Sequence, residues 1–162
     1  DIAALFIINH LFNWAFAERV GALVGRIGER RALTFEYCGL FCVFTAYAFV
    51  NDATWAAGLY VADHLFFSLA IAIKTYFQKI ADQADMASTA SVAFTINHVA
   101  AVVIPALFGL VWLVSPMAVF LMGSGMSVLS LLLARNIPSA PRAGNEVLFG
   151  KVPYVEGITG GR

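Results

Sequence analysis

The chain has few charged side chains and no net charge. Charged residues make up 12% of its 162 positions, and ten Lys and Arg balance ten Asp and Glu. Bulk electrostatics therefore gives no reason to expect a nucleic acid or an acidic molecule as partner. The sequence also lacks a nucleophile–base–acid triad, a phosphate-binding loop and a nucleotide-binding motif. We accordingly expect neither an enzyme nor a nucleic-acid-binding protein.

Cysteine is scarce as well, since the sequence holds only Cys38 and Cys42. On a helix these two residues share one face, and a pair within one helix at that spacing is poorly placed for a disulfide. The favoured interpretation is two small apolar side chains that are buried or face lipid. A thiolate metal site is the alternative.

Apolar side chains dominate what remains. They make up 60% of the chain, whereas soluble domains average about 45–50%, and a membrane-crossing helix needs roughly 20 such residues. The apolar runs cover about residues 2–17, 32–50, 55–72, 90–113 and 118–133. This pattern predicts an all-α polytopic bundle with five spans and the lipid bilayer as its surroundings. Because the first run is short, we expect the chain to be a fragment of a longer protein.

The cations fall into three clusters separated by pairs of apolar runs. The clusters are Arg19, Arg26, Arg30 and Arg31; Lys74 and Lys79; and Arg135, Arg142, Lys151 and Arg162. Basic loops stay on the cytoplasmic side of a membrane. The alternation therefore predicts a multi-pass cell-membrane protein, with a bundle over residues 1–135 and a loosely ordered cytoplasmic tail over 136–162.

The first cation cluster carries the most specific local pattern. Gly21 and Gly25 permit close approach of helices, and Gly28 can turn the chain between two spans. The stretch resembles the cytoplasmic signature loop of the major facilitator superfamily, with Gly25 where that family has an acidic residue and Glu29 within the basic end. The resemblance implies a gating loop formed by Gly21, Arg26, Gly28, Arg30 and Arg31. A topology anchor without a gating role is the alternative.

The remainder resembles the C-terminal half of the same family. A short loop with Lys79, Asp82 and Asp85 precedes a run over residues 97–109 that is similar to the family's small-residue and proline motif, with its proline at Pro105. The resemblance implies helices eight to twelve of a twelve-helix transporter, with helices two to six as the alternative. It implies an N-terminal half of the same transporter as partner, and no cofactor. Helices eight, ten and eleven would face a central cavity, and nine and twelve would face lipid.

Polar side chains are concentrated in three of the five runs. They are Asn9, His10 and Asn13 in the first, Asp63 and His64 in the third, and Thr95, Asn97 and His98 in the fourth. The three histidines lie about nine or ten residues from a cytoplasmic boundary, or roughly 13–15 Å along a helix, near the middle of a core about 30 Å thick. Glu36, by contrast, is expected near the cytoplasmic edge of the second run.

Ionisable groups at this depth are costly and usually face a cavity or a partner. We therefore predict a substrate or proton pathway with Asp63 as its principal residue. Its other members would be Asn9, His10, Asn13, His64, Asn97 and His98. The asparagines could instead bond neighbouring helices. The histidines could be satisfied by backbone carbonyls, and Asp63 could be the fixed partner of a histidine.

The predicted function is secondary active transport of a small solute by alternating access, with proton coupling as one option. A non-transporting membrane subunit or scaffold of a larger complex is the first alternative. The second is a cofactor-binding membrane protein in which His10, His64 and His98 are the ligands. The sequence does not identify the solute.

Overall fold

The computed structural model describes residues 2–81 and 86–149, without the side chains at positions 1–5, 8, 9 and 12–14. This part of the chain is helical and contains no strand. Its helices are α1 (Ile2–Ile27), α2 (Glu29–Phe49), α3 (Ala53–Phe67), α4 (Ile71–Ile80), α5 (Met86–Val114) and α6 (Pro116–Arg135). A 3-10 turn, Ser68–Ala70, joins α3 to α4, so that Ala53–Ile80 forms one helical segment.

Four of the described helical segments are long and apolar enough to cross a membrane. They are α2, the α3–α4 segment, α5 and α6. The prediction of a polytopic all-α membrane protein is confirmed at this level. The first helix has 26 residues but is not one of the four, so the fifth crossing stays a prediction.

Local sequence explains where the helices begin. Gly28 has φ +84° and ψ 152°, a backbone conformation that glycine adopts easily, and it separates α1 from α2 as predicted. The Asp52 carboxylate accepts hydrogen bonds from the N–H groups of Thr54 and Trp55 at the start of α3. Ser115 caps α6 in the same way through the N–H of Ala118. Each cap satisfies backbone donors that lack a partner within the helix.

The third predicted span ends later than expected. The sequence pattern placed its end near residue 72, whereas the helical segment continues to Ile80. Lys74 and Lys79 therefore lie on the last turns of α4 and not in the following loop. Their long stems can run along the helix while their ammonium groups reach the headgroup level. Asp82 and Asp85 lie outside the described residues.

Helix α2 is the centre of the described bundle. It packs most extensively along α6 and also contacts α1, α3 and α4. Its buried residues are Glu29, Ala32, Leu33, Glu36, Gly39, Leu40 and Val43. The Phe66 ring of α3 lies directly over Gly39, where a Cβ would overlap it. The close approach of α2 and α3 therefore depends on the missing side chain.

The contact between α2 and α6 is partly polar. Thr45 and Ser124 share a hydrogen bond of 3.1 Å between their hydroxyl oxygens. Tyr47 stacks on Phe120 with ring centroids 4.9 Å apart. In contrast, α5 contains no buried residue and packs mainly against α6. The expectation that α2 lies at the lipid face while α5 lies at the centre therefore does not describe this bundle.

The first part of the predicted tail is folded. The Tyr76 hydroxyl donates a 2.7 Å hydrogen bond to the Glu146 carbonyl, which ties the segment to α4. The Asn136 side chain accepts from the Phe149 N–H at 2.7 Å and donates to its carbonyl at 3.2 Å. These contacts hold residues 136–149 against α4 and the end of α6, which the prediction of a loosely ordered tail did not include. Lys151 and Arg162 lie outside the described residues.

Candidate functional site

Residues of four helical segments line a partly open cavity of about 810 Å³, which we call the four-helix cavity. It is lined by Phe16, Ala17 and Val20 of α1, Glu36, Tyr37 and Leu40 of α2, Phe67, Ser68, Ala70, Ile71, Ile73 and Lys74 of the α3–α4 segment, and Asn97 of α5. Most of this surface is apolar or aromatic. The polar groups are one carboxylate, one ammonium, two hydroxyls and one amide, a lining typical of small-molecule sites.

Glu36 is the most unusual residue of this cavity. Its side chain is only 2% exposed, and its Oε2 atom has no hydrogen-bond partner among the described residues. A buried ionised carboxylate without a partner is costly, so the group either carries a proton or awaits a donor. Glu36 is therefore the strongest candidate for a direct solute or proton contact in this cavity.

The sequence did not predict a role for Glu36, because this residue was expected near the cytoplasmic edge of α2 and not in the pathway at mid-membrane depth. It lies seven residues after Glu29, which corresponds to about 10 Å along the helix. A glutamate stem is too short to cover that distance, whereas lysine can reach out. An acidic residue about one turn inside the apolar run over residues 32–50 was the available signal.

The 3-10 turn brings irregular backbone to the cavity wall. Ser68 and Ala70 of this turn both line the cavity. The Ser68 hydroxyl donates to the Leu65 carbonyl at 2.6 Å, so its oxygen keeps lone pairs that can accept. A short 3-10 stretch inside an otherwise continuous helix often marks a functional or strained position.

Asp63 and His64 lie on α3, just before the turn. Their side chains are 26% and 27% exposed, and His64 Nδ1 is 3.6 Å from Asp63 Oδ2. The same nitrogen is closer to the Tyr60 carbonyl, at 2.9 Å, and the Tyr60 ring packs on the imidazole with centroids 4.2 Å apart. The sequence did not require these neighbours to meet, and the structure brings them together. Neither residue lines the four-helix cavity.

The other predicted pathway residues are distributed over several surfaces. Asn97 lines the four-helix cavity, whereas its neighbour His98 is exposed and bonds the Phe94 carbonyl of its own helix at 2.9 Å. His10 is also exposed. The structure thus does not gather His10, Asp63 and His98 into one chamber. The side chains of Asn9 and Asn13 lie outside the described residues.

The described part of the chain contains no preformed metal site. Among residues 2–81 and 86–149, no group of three His, Cys, Asp or Glu side chains is placed to hold a metal ion. Cys38 and Cys42 are free and exposed on α2.

The turn between α1 and α2 is tied to the end of α4 by an ion pair. Glu29 Oε1 lies 2.5 Å from Lys79 Nζ, and the Glu29 side chain is only 2% exposed. Gly21 faces Ile71 across the same corner, where a Cβ would make ordinary contact at 4.0 Å. Arg26 lies on the last turn of α1 and is exposed. The predicted gating loop is thereby joined to the segment that carries the 3-10 turn.

Chemically, this arrangement can bind a small molecule within the membrane and can store a proton on a carboxylate. Comparisons with protein-family models, curated proteins and solved structures find no match to this chain. Any function therefore has to rest on the cavity, charges and contacts of the chain itself.

Proposed function

We propose that the chain is part of a secondary transporter of the major facilitator type, corresponding to its helices eight to twelve but with α2, the ninth, lining the cavity instead of facing lipid. It would move a small solute across the membrane by alternating access. The observation that carries this proposal is the four-helix cavity, with Glu36 buried in its wall. A cavity at membrane depth with a few polar groups in an apolar lining is the usual form of a transporter site.

Glu36 would act as the principal contact for the solute or the proton. Its Oε2 atom, which has no partner among the described residues, can accept a hydrogen bond from a donor group of a solute that enters the cavity. Ser68 and Asn97 line the same space and would orient the solute. The Asp63–His64 pair would be a second ionisable site, on α3 just before the turn that lines the cavity.

The exposed polar side chains of α1 and α5 support a further protein surface beyond them. His10 and His98 are both exposed in the described bundle, although polar groups at mid-membrane depth normally face protein or water. An N-terminal half of the same transporter would cover these faces. Rocking of the two halves would then expose the cavity to each side in turn.

Transport by the full-length protein tests this proposal. Proteoliposomes are incubated with a cell extract, and accumulated solutes are identified by mass spectrometry against empty vesicles. We expect specific solutes to accumulate, and Glu36→Gln to lower their initial uptake by at least about tenfold, the value of one strong charge-assisted contact. Asp63→Asn should reduce or uncouple the same uptake.

Asp52→Asn is the matched control, because it makes the same chemical change at an exposed helix cap and asparagine caps helices well. Its uptake should equal that of the wild type. If no solute accumulates above the level in empty vesicles, the transporter proposal is wrong and a non-transporting membrane subunit becomes the better interpretation.

A further inference from the structure

A second cavity, of about 670 Å³, lies where the α1–α2 turn meets the end of α6. We call it the arginine pocket, because its wall includes Arg30, Arg31 and Arg135. Thr34 and Phe35 of α2 also line it. The three arginines come from two predicted clusters that are far apart in sequence and meet only through the packing of α6 along α2.

The positive charge of this pocket is not compensated by the described protein. No Asp or Glu belongs to its wall, and Glu29, the nearest acid in the sequence, is engaged by Lys79. Within residues 2–81 and 86–149, none of the three arginines forms an ion pair. The Arg30 Nε atom is buried and has no hydrogen-bond partner there. A buried guanidinium N–H without an acceptor is costly, and neighbouring like charges repel.

An anion would remove both costs, and its shape can be inferred. The planar guanidinium presents paired N–H groups that match the oxygens of a phosphate. The pocket also includes Gly28 at the start of α2, a position without a side chain to cap the helix. The dipole of this 21-residue helix also favours negative charge at its start, where Glu29 in the first turn already supplies part of it.

We propose that the arginine pocket binds a phosphate group. Three guanidinium groups and the start of α2 would share its oxygens, with Arg30 Nε as one of the donors. Phe35 lies on the wall and is 63% exposed, so an apolar chain attached to the phosphate can pack beside it. A phospholipid headgroup and a free phosphate ion share this chemistry, and the experiment separates them.

The test uses the purified full-length protein in phosphatidylcholine nanodiscs. In one arm phosphatidic acid is added to the lipid, and bound lipid is counted by native mass spectrometry. In the other arm inorganic phosphate is titrated calorimetrically. The informative variant is Arg30→Gln/Arg135→Gln. Its control is Arg26→Gln/Arg142→Gln, which removes the same charge from exposed positions outside the pocket.

We expect Arg30→Gln/Arg135→Gln to weaken phosphate binding by at least about tenfold, because it removes two guanidinium groups that would donate charge-assisted hydrogen bonds to the phosphate. The control should change it by less than about twofold. Arg135→Lys keeps the charge but not the paired donors, so it should weaken binding by about threefold or more, and it serves where the double variant does not fold. Binding confined to phosphatidic acid identifies a lipid, and binding of inorganic phosphate identifies a soluble ligand.

The proposal is overturned if neither ligand binds. It is equally overturned if the two double variants weaken binding to the same extent, because the cluster would then act through charge alone. Unchanged affinity in Arg135→Lys would also contradict a site built from paired guanidinium donors. All three results are independent of whether the four-helix cavity carries a solute.

Discussion

Helices α2 and α5 are both long and apolar enough to cross a membrane, yet their surroundings differ completely. Of the four such segments, α2 is the most buried and has the lowest hydropathy. Helix α5 has no buried residue and is one of the two segments with the highest hydropathy. In a water-soluble protein the most apolar helix would be the most buried one. Lipid solvates apolar side chains as well as a protein core does, so in a membrane the less apolar helix gains most from protein neighbours.

The same two helices also differ in how they are held. Polar contacts join α2 to its neighbours through Glu29–Lys79 and Thr45–Ser124, and Gly39 lets α3 approach closely. On α5 the recorded side-chain hydrogen bonds of Thr95 and His98 are to its own backbone. Substitutions on α2 should therefore disturb the bundle more than matched substitutions on α5.

The largest difference is expected for glycine replacement. Gly39→Val places a side chain where the Phe66 ring lies, and overpacking of this kind costs roughly 3 kcal/mol in the free energy of unfolding. Gly109→Val on α5 is the control, since nothing lies within 4 Å of its Cβ position. Unfolding by SDS in mixed micelles measures both. Equal stability of the two variants would contradict the close packing of α2 and α3.

Next in size is the ion pair at the α1–α2 turn. Lys79→Met leaves the buried Glu29 carboxylate without its partner. Removing one partner costs roughly 3–5 kcal/mol in a buried pair and at most about 1 in a surface pair. Because Lys79 is 49% exposed, we expect roughly 2 kcal/mol. The control Lys74→Met should change little, and Glu29→Gln combined with Lys79→Met should recover stability.

Glu36 should show the opposite sign. The Glu36 carboxylate is buried and its Oε2 atom has no partner among the described residues. Glu36→Leu removes this unfavourable burial, so it should raise the free energy of unfolding by about 1 kcal/mol while abolishing uptake. Glu18→Leu on the exposed side of α1 should leave stability nearly unchanged. A clear loss of stability in Glu36→Leu would mean that the carboxylate has a partner in the intact protein.

The smallest effect concerns pH and the cap of α3. Hydrogen bonds from the backbone N–H groups of Trp55 and Thr54 lower the pKa of Asp52 below its usual value. Its stabilising contribution is therefore present above the unfolded pKa, about 3.9, and is lost as pH falls through the folded pKa. Asp52→Ala should lower the melting temperature slightly near neutral pH, and this difference should shrink as pH falls below about 3.9. Ser115→Ala should show no such pH dependence.

Much of the helical framework could be predicted from the sequence. The apolar runs predict the helices, and Gly28 predicts the turn between α1 and α2, because both depend on residues adjacent in the chain. The extension of α4 through Lys74 and Lys79 was missed, since an apolar run ends before a helix does when lysine stems can follow its surface.

The site was less predictable because it depends on helix rotation and packing. Residues at one depth need not share one cavity, and so His10 and His98 point to exposed faces while Asn97 reaches the four-helix cavity. Glu36 was overlooked because it was placed near the cytoplasmic edge of α2, and because the family resemblance implied that this helix faces lipid. The lower hydropathy of α2 was the better indicator of its position.

The 3-10 turn Ser68–Ala70 divides the α3–α4 segment into two parts, and each part has its own attachment to the bundle. The Tyr47 hydroxyl binds the Ala56 carbonyl on one part at 3.1 Å, while Lys79 and Tyr76 hold the other to α2 and to the segment after α6. The turn between these two attachments forms part of the wall of the four-helix cavity. The position of each half of the segment is therefore set by a different neighbour, and both neighbours influence the space around Glu36.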